Sequence, residues 1–507
     1  MTASEQLAQF AAGSKALGRL CREYKNRSAT VHLEELVGGA LSFYAAAAVA
    51  KTGGVHIFVA EDRDAAAYLL NDFYNLLDEK QVYFFPSSYK RSAAYGAEDA
   101  QGVVQRTTAM NAVRGFTKGY LVVCTYPEAL AERVVDAATL QRDTIAVKLG
   151  DKISIAVLED ALADANFTRV DFVYEPGQYS VRGGIVDVFS YSESKPYRID
   201  FFGDEVDSIR RFNISSQLSA DKLDRVEIVP NLNAGEAPRV SFVQFAGSSA
   251  TCWFYDADYV LRRVNDLRRK VLADMEEPGQ IDRLLTSRNV LLRDMAGNSV
   301  VALRDNLPER PATAAVVFDT APQPKFNKNF EMLADDMIRN SLRGYATYIL
   351  SENKVQVERL ENIFHQIGRG QAAVRSLSVT LHEGFVDNDL KLCLYTDHQI
   401  FDRYQRYRIN GEIRRDEQMT VAELNQLRPG DYVVHIDHGV GRFDGLVKIN
   451  ENGKVHEAIK LVYKDGDVLF VNVHSLHRIS RYKSGDGEPP KVYKLGNGAW
   501  QKLKNAA

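Results

Sequence analysis

Cysteine is scarce: four residues in 507 (Cys21, Cys124, Cys252 and Cys393), no two of them at a C-x-x-C spacing. That excludes a disulfide framework and a cysteine-rich zinc site. Long apolar runs are missing too. The alanine-rich candidate Ala45-Ala46-Ala47-Ala48-Val49-Ala50 is far short of the ~20 residues that cross a bilayer. Met1 to Phe10 lacks the charged-then-apolar pattern of a secretion signal. Net charge is small, because 63 Lys+Arg against 67 Asp+Glu leave −4. No overall field therefore drives binding to nucleic acid or membrane, and any such contact has to come from a local patch. Internal repeats and low-complexity tracts are absent as well. What is present is ordinary globular material: 45% apolar and 26% charged residues suffice to bury cores throughout the chain. At roughly 100–200 residues per domain, the length predicts three to five domains in a soluble, cytoplasmic protein.

The first ~125 residues alternate in pattern. Val55 to Ala60, Val82 to Phe85 and Tyr120 to Cys124 read as strands, with helical spacing at Ala65 to Leu77 and Ala100 to Arg114. Strand–helix–strand order at these lengths predicts a parallel sheet with covering helices. After one helix at 154–165, residues 166–214 read as antiparallel strands punctuated by Pro176-Gly177, Arg182-Gly183-Gly184, Pro196 and Gly203. Mixed patterns return at 225–320, with a strand at Cys252 to Tyr255 and a helix at Tyr259 to Met275. A further α/β unit is expected at about 326–405, with a helix Asn329–Arg343 and strands Ala346–Leu350, Val379–Leu381 and Leu390–Tyr395. Residues 403–428 are rich in charge and read as a linker. The last 79 residues hold strands at Asp431–Ile436, Arg442–Ile449, Ala458–Tyr463 and Val468–Val473, the last two joined through Asp465-Gly466, a strong hairpin signal. A small Tudor- or SH3-like barrel is expected there.

Few residues could carry chemistry. Gly38-Gly39-Ala40-Leu41-Ser42 opens a helix after an apolar stretch, where a phosphate-binding loop would sit. Such a loop needs a lysine for the terminal phosphates and a hydroxyl for magnesium. Leu41 stands in the lysine position and Lys51 is too far along the helix, so a structural loop is expected. Asp204-Glu205-Val206-Asp207 imitates a helicase magnesium box but falls in a hairpin-rich segment and reads as a turn. His435 with His438, and His474 with His477, form two HxxH pairs, yet positions i and i+3 of a strand point to opposite faces, which spoils metal geometry. With no nucleophile elbow and no outstanding carboxylate pair, no catalytic residue, metal site or cofactor site is assigned. Arg169 and Arg182 flank the Pro176-Gly177 turn with Phe172, Tyr174 and Tyr179 nearby, a composition typical of interface hot spots, although surface arginines in local ion pairs have the same one. In residues 429–507, 12 Lys/Arg face 9 Asp/Glu, a mild excess that suits a protein partner or a glancing DNA contact.

Two segments carry a resemblance. Tyr174-Glu175-Pro176-Gly177-Gln178-Tyr179-Ser180-Val181-Arg182-Gly183-Gly184-Ile185-Val186-Asp187-Val188-Phe189, followed by Pro196 to Glu205, resembles the domain by which the excision-repair subunit UvrB and the bacterial transcription-repair coupling factors (the Mfd family) bind UvrA. Gly430 to Phe443, with Ser475 to Tyr482, is similar to the CarD-like RNA polymerase-interacting domain of the same coupling factors. Gly384-Phe385-Val386-Asp387 also fits that family. The resemblance implies that an arginine, then an R-x-R pair eleven and thirteen residues later, forms much of the UvrA contact. Arg169 matches the first and Arg182 the last, with Ser180 in the middle position, so Arg169, Tyr179 and Arg182 are the candidates for UvrA binding. It further implies that a strand edge of the last domain pairs with the RNA polymerase β subunit, aided by an exposed aliphatic side chain; Ile449 and Leu461 are the candidates. The Gly38–Ser42 loop aligns with UvrB's phosphate loop, with Leu41 for lysine.

The resemblance thus implies the N-terminal half of a transcription-coupled nucleotide excision repair factor. Residues 1–125 and 223–325 would form a degenerate P-loop-like α/β domain, 126–222 a β-rich UvrA-binding domain, 326–405 a small α/β domain, 406–428 a linker and 429–507 the polymerase-interacting β-barrel. In the family a relay helix and an ATP-driven DNA translocase follow this point, so we expect a shortened piece, monomeric, not itself an enzyme, and with no cofactor of its own. ATP, Mg²⁺ and most double-stranded DNA contact would belong to the missing motor. The UvrA-recruiting face, masked in the family by a C-terminal domain, should be open. A UvrB-type helicase subunit and a stand-alone CarD-like transcription regulator are the alternatives.

Overall fold

The computed structural model describes residues 2–26, 28–89, 99–214, 218–233, 237–275, 278–304, 307–403, 427–435, 438–451, 454–472 and 479–481. The chain divides into two compact units. One comprises Met1–Arg210 and Lys222–Gly411, the other Arg211–Asp221 and Glu412–Ala507.

The first unit is built on a seven-stranded sheet. Its strands lie in the order Ala314–Val317, Thr30–Glu34, Ser299–Ala302, Thr251–Phe254, Gly54–Val59, Tyr120–Thr125, Val82–Phe84, and every neighbouring pair is parallel. Parallel strands are covered on both faces and need continuous apolar runs. Ile57-Phe58-Val59 and Leu121-Val122-Val123-Cys124 supply them and are fully buried. The helix Ala40–Thr52 buries most of its circumference, which is where the alanine-rich run goes. Three strands were legible in the sequence before residue 125. Thr30–Glu34, Ser299–Ala302 and Ala314–Val317 were not, because polar His32 and Glu34 interrupt the first and the others are four residues each.

Between these strands lies an antiparallel module with its own core. Gln178–Arg182 turns through Gly183-Gly184 into Ile185–Val188, which pairs in turn with Tyr197–Phe202. Thr168–Arg169 lies parallel to Gln178–Arg182. Leu158 and Leu162 of the helix Ile155–Asp164 pack with Val186, Val188 and Ile199 of the sheet. Asp204 lies in the turn between Tyr197–Phe202 and Glu205–Phe212.

A third sheet runs in the order Thr320–Pro322, Phe385–Asp387, Leu392–Thr396, Ala346–Leu350, Ser376–Leu377, packed by the helices Phe330–Leu342 and Lys354–Gln366. The strand read at Val379–Leu381 is corrected: pairing stops at Leu377. Val379 and Leu381 instead bury themselves in the main core, so their alternation reflects burial without a strand partner.

In the second unit, five antiparallel strands run in the order Val468–Asn472, Lys454–Val462, Gly439–Glu451, Tyr432–His435, Ile479–Arg481. Val433, Phe443, Ile459, Leu461, Val471 and Ile479 form their core. A register shift between Phe443 and Leu446 adds local twist. Most of the expected linker lies outside the described residues. Among the described residues, no helix is long and apolar enough to cross a membrane.

Candidate functional site

On the antiparallel module, one buried carboxylate organises two arginines. Asp187 lies mid-strand and is almost fully buried. Its Oδ1 accepts from Arg198 Nε at 2.7 Å and its Oδ2 from Arg198 Nη2 at 2.8 Å. This bidentate pairing is the strong geometry for arginine and carboxylate, and it raises the Arg198 pKa further. Arg182 Nη2 donates to the same Oδ2. The Arg182 guanidinium also stands 4.7 Å over the half-exposed Phe172 ring, with 36% of its side chain open to solvent. Arg182 is therefore held at the surface in one orientation. Arg169 is 60% exposed and pairs with Glu159 at 2.6 Å.

Tyr179 sits opposite Arg169 in the parallel register, but it is buried in the module core and hydrogen-bonded to Glu159. The sequence reading of Tyr179 as a contact residue is corrected: its ring packs inward and leaves little surface for a partner. Ser180 is buried and donates to the Asp171 carbonyl at 2.8 Å, so it presents no polar group outward. Sequence reasoning missed Phe202, which is 84% exposed at the end of its strand. The adjacent Phe201-Phe202-Gly203 turn was the available signal.

The Gly38–Ser42 loop leads into the helix Ala40–Thr52. A Cβ on Gly39 would lie 2.0 Å from the Glu383 carbonyl oxygen, so residues of the third sheet's approach occupy the space where phosphates would need to reach the loop. Ser42 Oγ donates to Asp72 Oδ2 at 2.6 Å, which takes its hydroxyl out of reach of a metal. Asp72 also accepts from His382 N–H at 2.7 Å. Burial pushes its carboxyl up to about 7 against the pull of those two hydrogen bonds. Leu41 lines a cavity beside the loop in whose walls, among the described residues, there is no lysine or arginine.

In the second unit, Leu461 is fully buried in the core. The expectation that it contacts a partner is corrected, because its side chain has no free surface. Ile449 lies on Gly439–Glu451 opposite His456, and its side chain is outside the described residues. Among the described residues of this unit, the exposed large apolar side chains are Leu446, Val468 and Phe470. Val468 and Phe470 sit on one of the two edge strands, the other being Ile479–Arg481. His435 is buried with its ring 4.7 Å from that of His438; His474 and His477 lie outside the described residues. Among the described residues, no three His, Cys, Asp or Glu side chains are grouped to hold a metal.

With this geometry in place, comparison with known proteins gives two matches. Residues 145–233 match the UvrB interaction domain and residues 427–483 the CarD-like/TRCF RID domain. The chain is similar to transcription-repair-coupling factors. It is 24% identical to that of Bacillus subtilis (strain 168) over 93% of this chain, and 24% identical to that of Escherichia coli (strain K12) over 94%. A third, from Staphylococcus epidermidis, is 23% identical over 85%. The chain spans about half the length of the curated relatives it matches, 47% for the first two. The arginine–aspartate cluster falls within the first matched segment, and the exposed Phe470 within the second.

Proposed function

We propose that this chain acts in transcription-coupled nucleotide excision repair, binding RNA polymerase through its C-terminal β unit and recruiting UvrA through the antiparallel module. The observation that carries this reading is the order of matched segments on one chain: a UvrB interaction domain followed by a CarD-like/TRCF RID domain. UvrA is met by Arg169 and Arg182, the second aimed by Asp187 and Phe172, with Phe202 as an added apolar contact. The polymerase β subunit is met by the edge strand Val468–Asn472, whose unpaired backbone groups accept an incoming strand, next to exposed Phe470 and Leu446.

Five antiparallel strands around a single apolar core, twisted at the Phe443–Leu446 shift, support the Tudor- or SH3-like barrel reading of that unit. The parallel sheet with a glycine loop ahead of a helix supports a degenerate P-loop-like domain, made from residues 1–125 and 223–325 with the UvrA-binding domain 126–222 between. The small α/β domain 326–405, the linker 406–428 and the β unit 429–507 follow. Leu41 and the filled space at Gly39 argue that this domain binds no nucleotide. In the whole protein, an ATP- and Mg²⁺-dependent translocase supplies the grip on double-stranded DNA. The protein works as a monomer in the cytoplasm.

The test is UvrA binding by the wild-type chain and by Arg169→Ala combined with Arg182→Ala. Asp187 keeps Arg198, so the double variant should fold. Loss of anchoring arginines from an interface costs about 2 kcal/mol or more, roughly thirtyfold in affinity. Wild-type binding that survives the double substitution, or a folded wild type that does not bind, refutes the assignment of this face.

A further inference from the structure

The connections of the seven-stranded sheet diverge at one point. From Thr251–Phe254 the chain goes on to Ser299–Ala302 and Ala314–Val317, toward one edge. From Gly54–Val59, the immediate neighbour, it goes on to Val82–Phe84 and Tyr120–Thr125, toward the other. In open parallel sheets, the crevice beyond the C-terminal ends of two such strands is where ligands bind. A cavity of about 200 Å³ lies there, lined by Val59 and Ala60 beyond one strand and by Phe254 and Tyr255 beyond the other. A cavity of about 150 Å³ with apolar walls takes up benzene, so this one has room for a single substituted ring.

Its walls select by charge. Glu61 and Glu383 line it beside His382 and Asp72, whose carboxyl is taken by Ser42 and the His382 amide, and among the described residues no lysine or arginine does. Arg304 stands over the Tyr255 ring at 5.9 Å but pairs with Asp256 at 3.5 Å and is not part of the wall. An anion would be desolvated here without a counter-charge, which is costly. A ring bearing an ammonium group meets both features at once, with apolar surface for the ring and with the carboxyls of Glu61 and Glu383 for the charge.

We propose that this cavity is a binding site for a small organic cation carrying one ring system, an arylalkylammonium, and that it rejects anions, nucleotides among them. The site shares no residue with the proposed UvrA and polymerase contacts, so its failure would leave that reading untouched.

Titration calorimetry on the whole 507-residue chain tests it, with tryptamine, indole and indole-3-acetate as cationic, neutral and anionic probes. Tryptamine should saturate one site at least tenfold more tightly than indole, and indole-3-acetate should not bind. Ala65→Phe, which fills the cavity, should abolish tryptamine binding. Glu61→Gln with Glu383→Gln, which changes charge and hardly changes volume, should bring tryptamine down to the affinity of indole and leave indole unchanged. Thermal melts by circular dichroism establish that each variant is folded; if Ala65→Phe is not, the glutamine pair alone decides. No saturable tryptamine binding by the wild type overturns the proposal. So does equal binding of indole-3-acetate, or tryptamine affinity unmoved by the glutamine pair.

Discussion

Asp187→Asn keeps the side chain's shape and removes the charge on which Arg182 and Arg198 converge. Arg198 is the larger part of the cost, because 15% of its side chain is exposed and Asp187 is buried. Removing one partner of a buried ion pair leaves the other charge uncompensated, at about 3–5 kcal/mol. The Arg182 limb reaches solvent and behaves more like a surface pair, worth below about 1 kcal/mol. Water can reach part of Arg198 once the pair opens, so a net loss of about 3 kcal/mol is expected, confined to the module with its separate core. Hydrogen exchange reads this locally in the intact chain. Amides of Val186, Val188 and Ile199 should exchange roughly a hundredfold faster, and those of Ile57 and Val122 in the seven-stranded sheet should not change. A companion variant, Asp187→Leu with Arg198→Met, replaces the pair by apolar side chains, an exchange that is often neutral or stabilising. It should recover protection without recovering UvrA affinity, since Arg182 stays untethered. Exchange of the module amides within about threefold of wild type in Asp187→Asn would refute the view that this carboxylate holds the arginine face together.

Four further outcomes follow from the same structure. Leu41→Lys should not create Mg–ATP binding, because the Glu383 carbonyl still crowds Gly39; calorimetric binding at millimolar ATP would show that the lysine alone was missing. Gly39→Ala should cost about 1–3 kcal/mol, the range for forcing a methyl into filled space, read by urea unfolding, since φ at Gly39 is −64° and suits any residue. Asp72 should make the chain less stable as pH rises from about 4 to about 7: its folded carboxyl is pushed up from 3.8 to about 7, so the native state keeps a proton that the unfolded state has released. Asp72→Asn should therefore gain on wild type by about 2–3 kcal/mol between pH 5 and pH 8, and a constant difference would contradict this. Finally, Leu461→Ala should lower stability by about 2–5 kcal/mol, whereas Phe470→Ser should leave stability nearly unchanged and weaken polymerase binding; the reverse pattern in melts and pull-downs would invert their roles.

Legibility in the sequence followed burial. Val55–Val59 and Tyr120–Cys124 were visible as strands because parallel pairing forces continuous apolar runs. The hairpin at Gly183-Gly184 was visible because two glycines stand between alternating strands. Thr30–Glu34 was hidden, since its neighbours in the sheet, Ser299–Ala302 and Ala314–Val317, come from more than 260 residues away. The candidate site was half legible. Arg169 and Arg182 could be named from composition and resemblance, but Asp187 and Arg198, which aim Arg182, are set by antiparallel register. Leu461 and Phe470 show the limit on the last unit. Both are apolar residues on adjacent strands, and only the pleat decides that one faces the core and the other the solvent.

The loop at Gly38–Ser42 shows how a ligand loop can become a joint. Leu41 by itself removes one charge, which explains weak phosphate binding but not the surrounding geometry. Polar groups at Val37, on the helix Ala40–Thr52 and on the helix Arg63–Leu76 are engaged by the third α/β unit. Val37 N–H donates to Thr320 Oγ1 at 3.1 Å, Tyr44 donates to Asp387, and Asn75 donates to the Thr380 carbonyl at 2.9 Å. Asp72, tied to Ser42, receives the His382 amide. Three of these contacts, from Tyr44, Asn75 and Asp72, hold residues 380–387 in place beside the loop. Restoring a nucleotide site would therefore require withdrawing that segment, with loss of three hydrogen bonds and of the burial of Leu381 and Phe385 in the main core. The absent lysine is then one part of a change in which the loop holds protein in place of phosphate.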